Sequence, residues 1–256
     1  MKLYIKPYLV DNEKGRVFIV HGICEHSGRY EYLAKELNKA NYSVITYDLR
    51  GHGKSDGKRG YVESFFDHVD DLSNVIDSYQ NKTGKQFLLG HSMGGLIGHL
   101  YMIREPKVDG YIASGAPTDY LKRVKPLRLI GYKWFGFLNI KNTFGNNTLT
   151  HDDVIEKYYQ TDPLNLKKYS IRLGGEMFVG GVKHLNKHLY RNEKPILILH
   201  GGLDSIVPVE HSRRIEGLLS TKDKQLIIYE NNFHEIFNEL NKDDVITDCV
   251  RWLDAH

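Results

Sequence analysis

Residues 85–95 have the sequence Lys-Gln-Phe-Leu-Leu-Gly-His-Ser-Met-Gly-Gly, and this stretch determines the fold that we predict for the whole chain. Its apolar run predicts a buried strand, and the apolar spacing that follows predicts a helix. A Gly-x-Ser-x-Gly pentapeptide therefore falls on a sharp strand-to-helix turn, which strains the backbone of Ser92 and holds its hydroxyl above the sheet. Gly90 and Gly94 are expected where a side chain would collide with a neighbouring strand or helix. The pattern favours a nucleophilic Ser92 over an ordinary turn serine.

Length and composition fit one α/β domain with room for an insertion, since the chain has 256 residues, of which 41% are hydrophobic. The net charge of +3 is small, and no run of Lys and Arg is dense enough to predict nucleic-acid binding. Two cysteines without a C-x-x-C spacing predict no disulfide framework and fit a reducing compartment. The first residues lack the apolar core of a signal peptide, and no apolar run is long enough for a bilayer, so we expect a cytoplasmic protein.

Apolar runs and amphipathic segments alternate along most of the chain, which predicts a mostly parallel, doubly wound α/β sheet. Strands are predicted at residues 2–10, 16–20, 42–47, 87–89, 108–113, 195–199 and 225–229. Helices of this pattern are predicted at residues 32–40, 65–80, 209–219 and 243–254. The Gly-rich loop at residues 48–60 has neither Walker A spacing nor a G-x-G-x-x-G before a helix, so no nucleotide site is predicted there.

The alternation breaks between residues 118 and 190, where no buried strand is predicted and helical pieces occur at 152–160 and 185–190. We interpret residues 118–190 as a helical lid over the carboxyl edge of the sheet, because the segment follows a strand whose end borders the Ser92 site. The core is then formed by residues 1–117 and 191–256. A set of additional core helices is the alternative interpretation.

Aromatic and basic residues alternate within this segment, and they are Arg123, Lys125, Arg128, Tyr132, Lys133, Trp134, Phe135 and Phe137. Such a mixture is typical of a membrane interface, so the lid is predicted to make transient contact with a membrane surface. Packing of these aromatic rings within the lid is the alternative.

A serine hydroxyl needs a base within hydrogen-bond reach, and the base needs a carboxylate that orients it. In α/β-hydrolases the order along the chain is Ser, acid, His, each on a loop after a strand. Asp204 and His234 meet this order, and a doubly wound sheet would bring both to the edge that carries Ser92. For Asp204 the alternative is a turn aspartate that caps the next helix. The other histidines show no tight metal-ligand spacing, so no metal site is predicted.

A tetrahedral oxyanion requires two backbone N–H donors. Met93, the residue after the nucleophile, is predicted to supply one of them. Ile23 is predicted to supply the other, because it lies in the loop that follows the strand at 16–20. A simple strand-ending turn at His21 and Gly22 is the alternative.

Several motifs together resemble the monoglyceride lipase and lysophospholipase group of serine α/β-hydrolases. They are residues 21–30 (His-Gly-Ile-Cys-Glu-His-Ser-Gly-Arg-Tyr), 48–57 (Asp-Leu-Arg-Gly-His-Gly-Lys-Ser-Asp-Gly), 90–95 (Gly-His-Ser-Met-Gly-Gly) and 162–164 (Asp-Pro-Leu). The resemblance runs nearly end to end and implies an α/β-hydrolase fold and a cofactor-free esterase. It implies cleavage of a single acyl chain from glycerol or a glycerophospho-alcohol beneath a mobile lid. It assigns Ser92, Asp204 and His234 as the catalytic triad, with Ile23 and Met93 as oxyanion donors.

By the same resemblance, Glu25, Arg29 and Tyr159 are polar contacts to the glycerol head of the substrate. A loop-stabilising ion pair between Glu25 and Arg29 is the alternative. The chain departs from the group at Phe237, where monoglyceride lipases usually carry a second histidine one turn after the catalytic one. The head group of the substrate therefore stays open. Cys24 lies beside the oxyanion loop and predicts sensitivity to thiol reagents.

Two other functions fit the same residues. A peptidase or amidase would use identical catalytic groups, so only the pocket discriminates: an acidic pocket near Ser92 favours an amino-terminal peptide, and an apolar lid favours acyl chains. A non-catalytic ligand-binding module is compatible with the fold, although the intact triad positions argue against it. We therefore predict a serine ester hydrolase whose partner is a small lipid ester with one acyl chain.

Overall fold

The computed structural model of the protein describes residues 1–81, 84–104, 106–121, 124, 126 and 131–256. Its strands are β1 (Ile5–Tyr8), β2 (Gly15–Val20), β3 (Tyr42–Tyr47), β4 (Lys85–His91), β5 (Gly110–Ser114), β6 (Asn139–Lys141), β7 (Lys168–Ser170), β8 (Ile196–Gly201) and β9 (Lys224–Tyr229). Its α-helices are α1 (Glu31–Lys39), α2 (Phe66–Tyr79), α3 (Met93–Met102), α4 (Asp153–Thr161), α5 (Ile171–Gly175), α6 (Val182–His188), α7 (Glu210–Leu218) and α8 (Lys242–Ala255).

The main sheet has seven strands in the order β1-β3-β2-β4-β5-β8-β9. Strand β1 pairs with β3 in the antiparallel sense, and every other neighbouring pair in this sheet is parallel. Pro7 is tolerated because β1 is an edge strand, where its missing N–H breaks no ladder. The prediction of a mostly parallel, doubly wound sheet is confirmed.

The central strands are buried on both faces, which is why they are continuous apolar runs rather than alternating ones. Along β2, Phe18 and Val20 pack into a cluster on one face with α2 and α3. Val17 and Ile19 pack into a second cluster on the other face with α1 and α8. Each predicted strand therefore appears in the structure, with bounds shifted by a few residues.

The strand order changes direction between β2 and β4, because the chain runs outward from β2 to β3 and then returns to β4 on the other side. Such a switch point opens a crevice at the carboxyl ends of the two strands, where ligands bind in open α/β sheets. Residues 21–23 directly follow β2 at this crevice, and Ser92 directly follows β4 there.

The segment between β5 and β8 contains β6, β7, α4, α5 and α6, together with a π-helical stretch at Glu176–Gly181. The short strands β6 and β7 form an antiparallel ribbon that the sequence pattern did not predict. Each has only three residues, Asn-Ile-Lys in β6 and Lys-Tyr-Ser in β7, so neither produces an apolar run. The helix predicted at 185–190 lies in α6, which begins earlier, and in the following 3-10 turn Leu189–Arg191.

Within the described part of the chain, no helix combines the length and the apolar character that crossing a bilayer demands.

Candidate active site

Ser92 occupies the turn between β4 and α3 in a conformation that side chains rarely adopt, with φ 52° and ψ −116°. Its N–H donates to the carbonyl of Ser114 at 2.8 Å, which ties the turn to the end of β5. Backbone of this kind costs about 1–3 kcal/mol and persists only where the surroundings enforce it. The strained turn predicted from the pentapeptide is therefore present.

The glycines of the pentapeptide are required by close backbone contacts. A Cβ atom on Gly90 would lie 2.4 Å from the carbonyl oxygen of Gly94. A Cβ atom on Gly94 would lie 2.1 Å from the carbonyl oxygen of Val20 in the neighbouring strand. Both distances are far inside van der Waals contact, so any side chain would separate β2, β4 and α3. The expected steric role of both glycines is confirmed.

Asp204 and His234 are brought together from loops after β8 and β9. Nδ1 of His234 lies 2.6 Å from Oδ2 of Asp204. The other oxygen, Oδ1 of Asp204, accepts the backbone N–H groups of Ile206 and Val207 at 2.8 and 2.9 Å. One carboxylate oxygen thus stabilises the turn at residues 204–207, and the other binds the imidazole. It does not cap α7, which begins only at Glu210.

The imidazole of His234 is enclosed on the sides that do not face Asp204. A Cβ atom on Gly115, whose φ is 54°, would lie 3.2 Å from its ring, so the ring rests on that glycine. The His91 ring lies with its centroid 4.7 Å away. These contacts fix the plane of the His234 ring beside the nucleophile turn.

Ser92 and His234 line one small cavity. Its volume of about 20 Å³ is enough for one water molecule. The hydroxyl of Ser92 makes no hydrogen bond to any residue that the structure describes. A rotation about the Cα–Cβ bond redirects this hydroxyl without moving the backbone. Catalytic hydrogen bonds are often long in the free enzyme and tighten only with the substrate in place.

The electrostatics of the cavity favour a basic imidazole. Burial by itself lowers the pKa of His234, but Asp204, by its charge and its hydrogen bond, raises it, and Glu235 and Glu25 add to this effect. The net result is a pKa above the ordinary 6.5. Burial also tends to raise the pKa of Asp204, but His234 and His200 hold that pKa well below its usual range. Asp204 therefore stays ionised beside the imidazole.

The predicted oxyanion donors lie on the two sides of Ser92. Met93 is the first residue of α3, so its N–H has no acceptor within the helix. The N–H of Ile23 makes no hydrogen bond to a described residue, and Ile23 lines the cavity. A Cβ atom on Gly22 would lie 3.2 Å from Cβ of Ser92, which shows how closely this loop approaches the nucleophile turn.

His21 fixes the oxyanion loop from below. Its Nε2 accepts the N–H of Leu49 at 2.9 Å, so Nδ1 carries the proton and donates to the carbonyl of Gly22 at 2.8 Å. Burial lowers the pKa of His21 to about 4, which keeps the ring in this neutral form. The turn at His21 and Gly22 is therefore more than a strand end: the carbonyl of Gly22 accepts from His21, and the N–H of Gly22 donates to Glu25.

Glu25 and Arg29 form a buried network rather than a free polar surface. Oε1 of Glu25 accepts the N–H of Gly22 at 2.5 Å and the hydroxyl of Tyr30 at 2.8 Å. Nε of Arg29 donates to Oε2 of Glu25 at 3.0 Å, and its Nη2 donates to Glu235. The Glu25–Arg29 ion pair that we gave as the alternative is present. Glu25 lines the cavity, whereas Arg29 lies behind it.

Tyr159 reaches the same network from α4. Its ring lies under the guanidinium of Arg29, 4.8 Å from ring centroid to Cζ. Its hydroxyl accepts a hydrogen bond from the Asn142 amide at 2.9 Å. Tyr159 also lines the cavity, so the structure places two of the three predicted head-group contacts, Glu25 and Tyr159, at its wall.

Sequence reasoning missed two residues of this site. His200 is the penultimate residue of β8, and its Nε2 lies 2.9 Å from the carbonyl oxygen of Val207 and 3.1 Å from Oδ2 of Asp204. Glu235 follows His234 and lines the cavity. Position along the chain gave a signal for Glu235, which directly follows His234, whereas His200 lies four residues before Asp204 and had no such signal.

The predicted thiol sensitivity has no structural support. Cys24 is fully buried, and burial raises the pKa of its thiol well above the usual range. A buried thiol with a raised pKa is largely protonated and unreactive.

The strand-order switch, the strained serine and the paired imidazole and carboxylate define the chain as a serine hydrolase with the α/β-hydrolase fold. Residues 11–241 match the serine aminopeptidase S33 family, and the chain belongs to that family. The chain is 30% identical to the monoglyceride lipase of Homo sapiens over 247 residues, which cover 93% of this chain and 80% of that protein. It is 28% identical to the monoacylglycerol lipase of Mycolicibacterium smegmatis over 250 residues, which cover 95% and 89%.

Solved structures agree with these relatives. The crystal structure of the monoacylglycerol lipase of Paleococcus ferrophilus aligns with a TM-score of 0.90 and 32% identity, and the alignment covers 100% of both chains. The resemblance to a monoglyceride lipase-type α/β-hydrolase is thereby confirmed.

Proposed function

We propose that this protein hydrolyses the ester bond of a monoacyl lipid, such as a monoacylglycerol, through an acyl-Ser92 intermediate. The observation that carries the proposal is the 2.6 Å contact between Asp204 and His234, because His234 lines the same cavity as Ser92. Relatives named monoacylglycerol lipase and monoglyceride lipase support a lipid ester as the substrate class. The apolar cavity residues Ile23, Phe144, Leu149 and Ile206 support an acyl chain.

In this mechanism Nε2 of His234 removes the proton of the Ser92 hydroxyl while Oγ attacks the ester carbonyl. The N–H groups of Ile23 and Met93 stabilise the oxyanion of the tetrahedral intermediate. The imidazolium then donates the proton to the leaving alcohol, and the acyl-enzyme forms. His234 then removes a proton from a water molecule as the water oxygen attacks the acyl carbon, and the imidazolium returns this proton to Oγ of Ser92 as the fatty acid leaves. Asp204 keeps the imidazole oriented throughout.

Residues 118–190 act as a lid in this proposal. The cavity has room for about one water molecule, whereas an acyl chain is many times larger. Phe144, Leu149 and Tyr159 of the inserted segment form one wall of the cavity. Substrate entry therefore requires these residues to move away from Ser92, and the core of residues 1–117 and 191–256 stays in place.

The lid is also proposed to contact the membrane that supplies the substrate. The side chains of Trp134 and Phe137 are 82% and 69% exposed, and those of Phe135 and Leu138 are exposed beside them. Tyr132, in contrast, bonds Glu176 and packs within the segment. The predicted basic residues Arg123, Lys125 and Arg128 lie outside the described residues. An exposed aromatic cluster of this kind is suited to a lipid interface.

Co-sedimentation with phosphatidylcholine–phosphatidylglycerol vesicles tests this contact. The double variant Trp134→Ala/Phe137→Ala is expected to lose most of the vesicle binding of the wild type. The control Leu218→Ala/Leu240→Ala removes two exposed apolar side chains of the core and is expected to bind normally. Equal binding of all three proteins would remove the membrane role and leave the hydrolase proposal untouched.

Hydrolysis is tested with a panel of monoacylglycerols, lysophospholipids, p-nitrophenyl esters and leucine p-nitroanilide. The wild type should cleave the acyl esters, and Ser92→Ala should lower the rate by about a thousandfold or more. A fluorophosphonate probe should label the wild type and Ser220→Ala, a surface control, but not Ser92→Ala. Equal labelling of Ser92→Ala would refute the nucleophile. Cleavage of the anilide and of none of the esters would favour the amidase alternative. The carboxylates of Glu25 and Glu235 at the cavity are compatible with that alternative, because an acidic pocket suits an amino-terminal peptide.

A further inference from the structure

Glu235 is held at the active-site cavity by contacts from the lid segment and from the core. Its side chain is 4% exposed, and it follows the proposed general base directly in the chain. Its N–H donates to the carbonyl of Leu149 at 2.7 Å. Its Oε2 accepts from Nη2 of Arg29, and from the Asn238 amide at 2.9 Å. These bonds fix the carboxylate in one orientation at the wall of the cavity.

The two carboxylates at the cavity differ in their remaining hydrogen-bond capacity. Both oxygens of Glu25 already accept hydrogen bonds, from Gly22, Tyr30 and Arg29. Oε2 of Glu235 is used in the same way, but its Oε1 makes no hydrogen bond to a residue that the structure describes. An ionised carboxylate oxygen is an acceptor only, so Oε1 offers a place for a donor on the ligand.

The charge at the cavity is negative. Glu25 and Glu235 line it, and no described Lys or Arg side chain is among the lining residues. Arg29 lies behind both carboxylates and neutralises one of the two charges. Because these groups are buried, salt screens them weakly. A phosphate carries only acceptor oxygens and negative charge, so it would be repelled by the two carboxylates and would meet no described Lys or Arg side chain at this wall.

The position that departs from the monoglyceride lipase pattern does not contribute a polar group. Phe237 is buried in the apolar cluster between the sheet and helices α1 and α8, away from the cavity. Glu235, two residues earlier, is the polar group that this loop presents to the cavity in addition to His234.

We propose that Glu235 is a specificity-determining residue, whose Oε1 accepts a hydrogen bond from a hydroxyl of the leaving alcohol. The inference rests on the proposed function and selects within it: the preferred substrate is a neutral monoacylglycerol, and a lysophospholipid with a phosphate in that place is disfavoured. The carboxylate binds the alcohol and takes no part in bond making or breaking.

The test compares kcat/KM for three esters of the same fatty acid: the monoacylglycerol, the acylglycerol phosphate and the p-nitrophenyl ester. The p-nitrophenyl ester has no hydroxyl to bind, so dividing by its kcat/KM removes any effect of Glu235 on the basicity of His234. Glu235→Ala should lower the monoacylglycerol to p-nitrophenyl ester ratio about tenfold, mainly through KM. Glu235→Gln should raise the acylglycerol phosphate to p-nitrophenyl ester ratio about tenfold, because it removes the charge.

Glu230→Gln, an exposed carboxylate outside the cavity, is the matched control and should leave both ratios unchanged. Ratios within about twofold of the wild type in both Glu235 variants would overturn the inference while leaving the hydrolase assignment intact. A wild type that cleaves neither glycerol ester would instead refute the proposed function. A third outcome is that the wild type prefers leucine p-nitroanilide and that Glu235→Gln cleaves this anilide more slowly. This result would show that the carboxylate binds an ammonium group, and it would also overturn the inference.

A measurement on the wild type alone covers the case in which the variants do not fold. The propyl ester of the same fatty acid lacks both hydroxyls of the monoacylglycerol. We expect its kcat/KM to be about tenfold lower than that of the monoacylglycerol. Equal values for the two esters would mean that the cavity does not recognise a hydroxyl, and the inference would fail.

Discussion

Nδ1 of His234 lies 2.6 Å from Oδ2 of Asp204, although the two residues belong to loops after different strands. The carboxylate cannot turn away from the imidazole, because its Oδ1 is held by two backbone N–H groups and its Oδ2 is also approached by His200. The pair is therefore preorganised before any substrate arrives. A preorganised carboxylate fixes both the tautomer and the plane of the ring, which is what a general base requires.

Asp204→Asn should lower kcat by about a thousandfold to ten-thousandfold for p-nitrophenyl esters, because an amide does not stabilise the imidazolium and favours the wrong tautomer. The fold should survive, since the amide oxygen can still accept the N–H groups of Ile206 and Val207. Steady-state kinetics measure the loss, and a thermal melt checks the fold. A loss below about tenfold in a folded variant would mean that Asp204 does not orient the base.

The rate should fall on the acid side with a midpoint above pH 6.5. General-base catalysis needs neutral His234, and the charges of Asp204, Glu235 and Glu25 outweigh burial and raise its pKa above 6.5. Activity is therefore lost as pH falls through that raised pKa. The neighbouring His91 does not add a second step, because burial and the charge of His234 lower its pKa to about 3. The pH profile of kcat/KM checks this, and a midpoint at or below 6.5 contradicts it.

The same profile for Glu235→Gln gives an internal comparison. Removal of one negative charge beside the imidazole should shift the acid midpoint to lower pH. This shift depends on charge alone and does not depend on which alcohol the enzyme prefers.

The sheet was predictable because burial on both faces requires continuous apolar runs, and those runs are visible in the sequence. The order of the strands in the sheet is seen only in the structure, and it places Ser92 at the crevice beside the β2 loop. The β6–β7 ribbon was not predictable, because two strands of three residues are too short to give a periodic signal. The local sequence pattern therefore predicts the strands of the main sheet well, and it predicts the segment between β5 and β8 less well.

The site was predictable to the extent that chain order encodes it. Ser92, Asp204 and His234 were predictable because each lies on a loop directly after a predicted strand, in the chain order that α/β-hydrolases use. Arg29 between two carboxylates was not predictable, because its partner Glu235 is 206 positions away in the sequence. The support of Asp204 by His200 was missed for a similar reason: a histidine at a strand end has many uses, and only the fold shows which one applies.

The backbone strain at Ser92 can be measured by comparing two inactive variants. Ser92→Gly and Ser92→Ala both remove the hydroxyl, but only glycine adopts φ 52° without steric cost. Ser92→Gly should therefore be more stable than Ser92→Ala by about 1 kcal/mol in urea unfolding. Since neither variant retains the nucleophile, activity does not complicate the comparison. Equal stability would mean that the turn is not strained.

A buried histidine away from the active site makes the protein sensitive to acid. His99 lies on α3 with its ring perpendicular to that of Tyr111, and neither ring nitrogen has a hydrogen-bond partner among the described residues. Burial lowers the pKa of His99 to about 3. In the unfolded chain the same group binds a proton below about 6.5. The unfolded state therefore binds more protons between these two values, so the free energy of unfolding falls as the pH falls from 6.5 towards 3.

His99→Phe removes this contribution and keeps a ring of similar shape. Urea unfolding should show that the advantage of the variant over the wild type is larger at pH 4 than at pH 7, by about 3 kcal/mol. The comparison at pH 7 is the control, because any difference in packing between the two rings is present at both pH values and cancels. The same advantage at pH 4 and pH 7 would show that His99 accepts a proton in the folded protein as readily as in the unfolded chain, and the acid sensitivity would then have to arise from other groups.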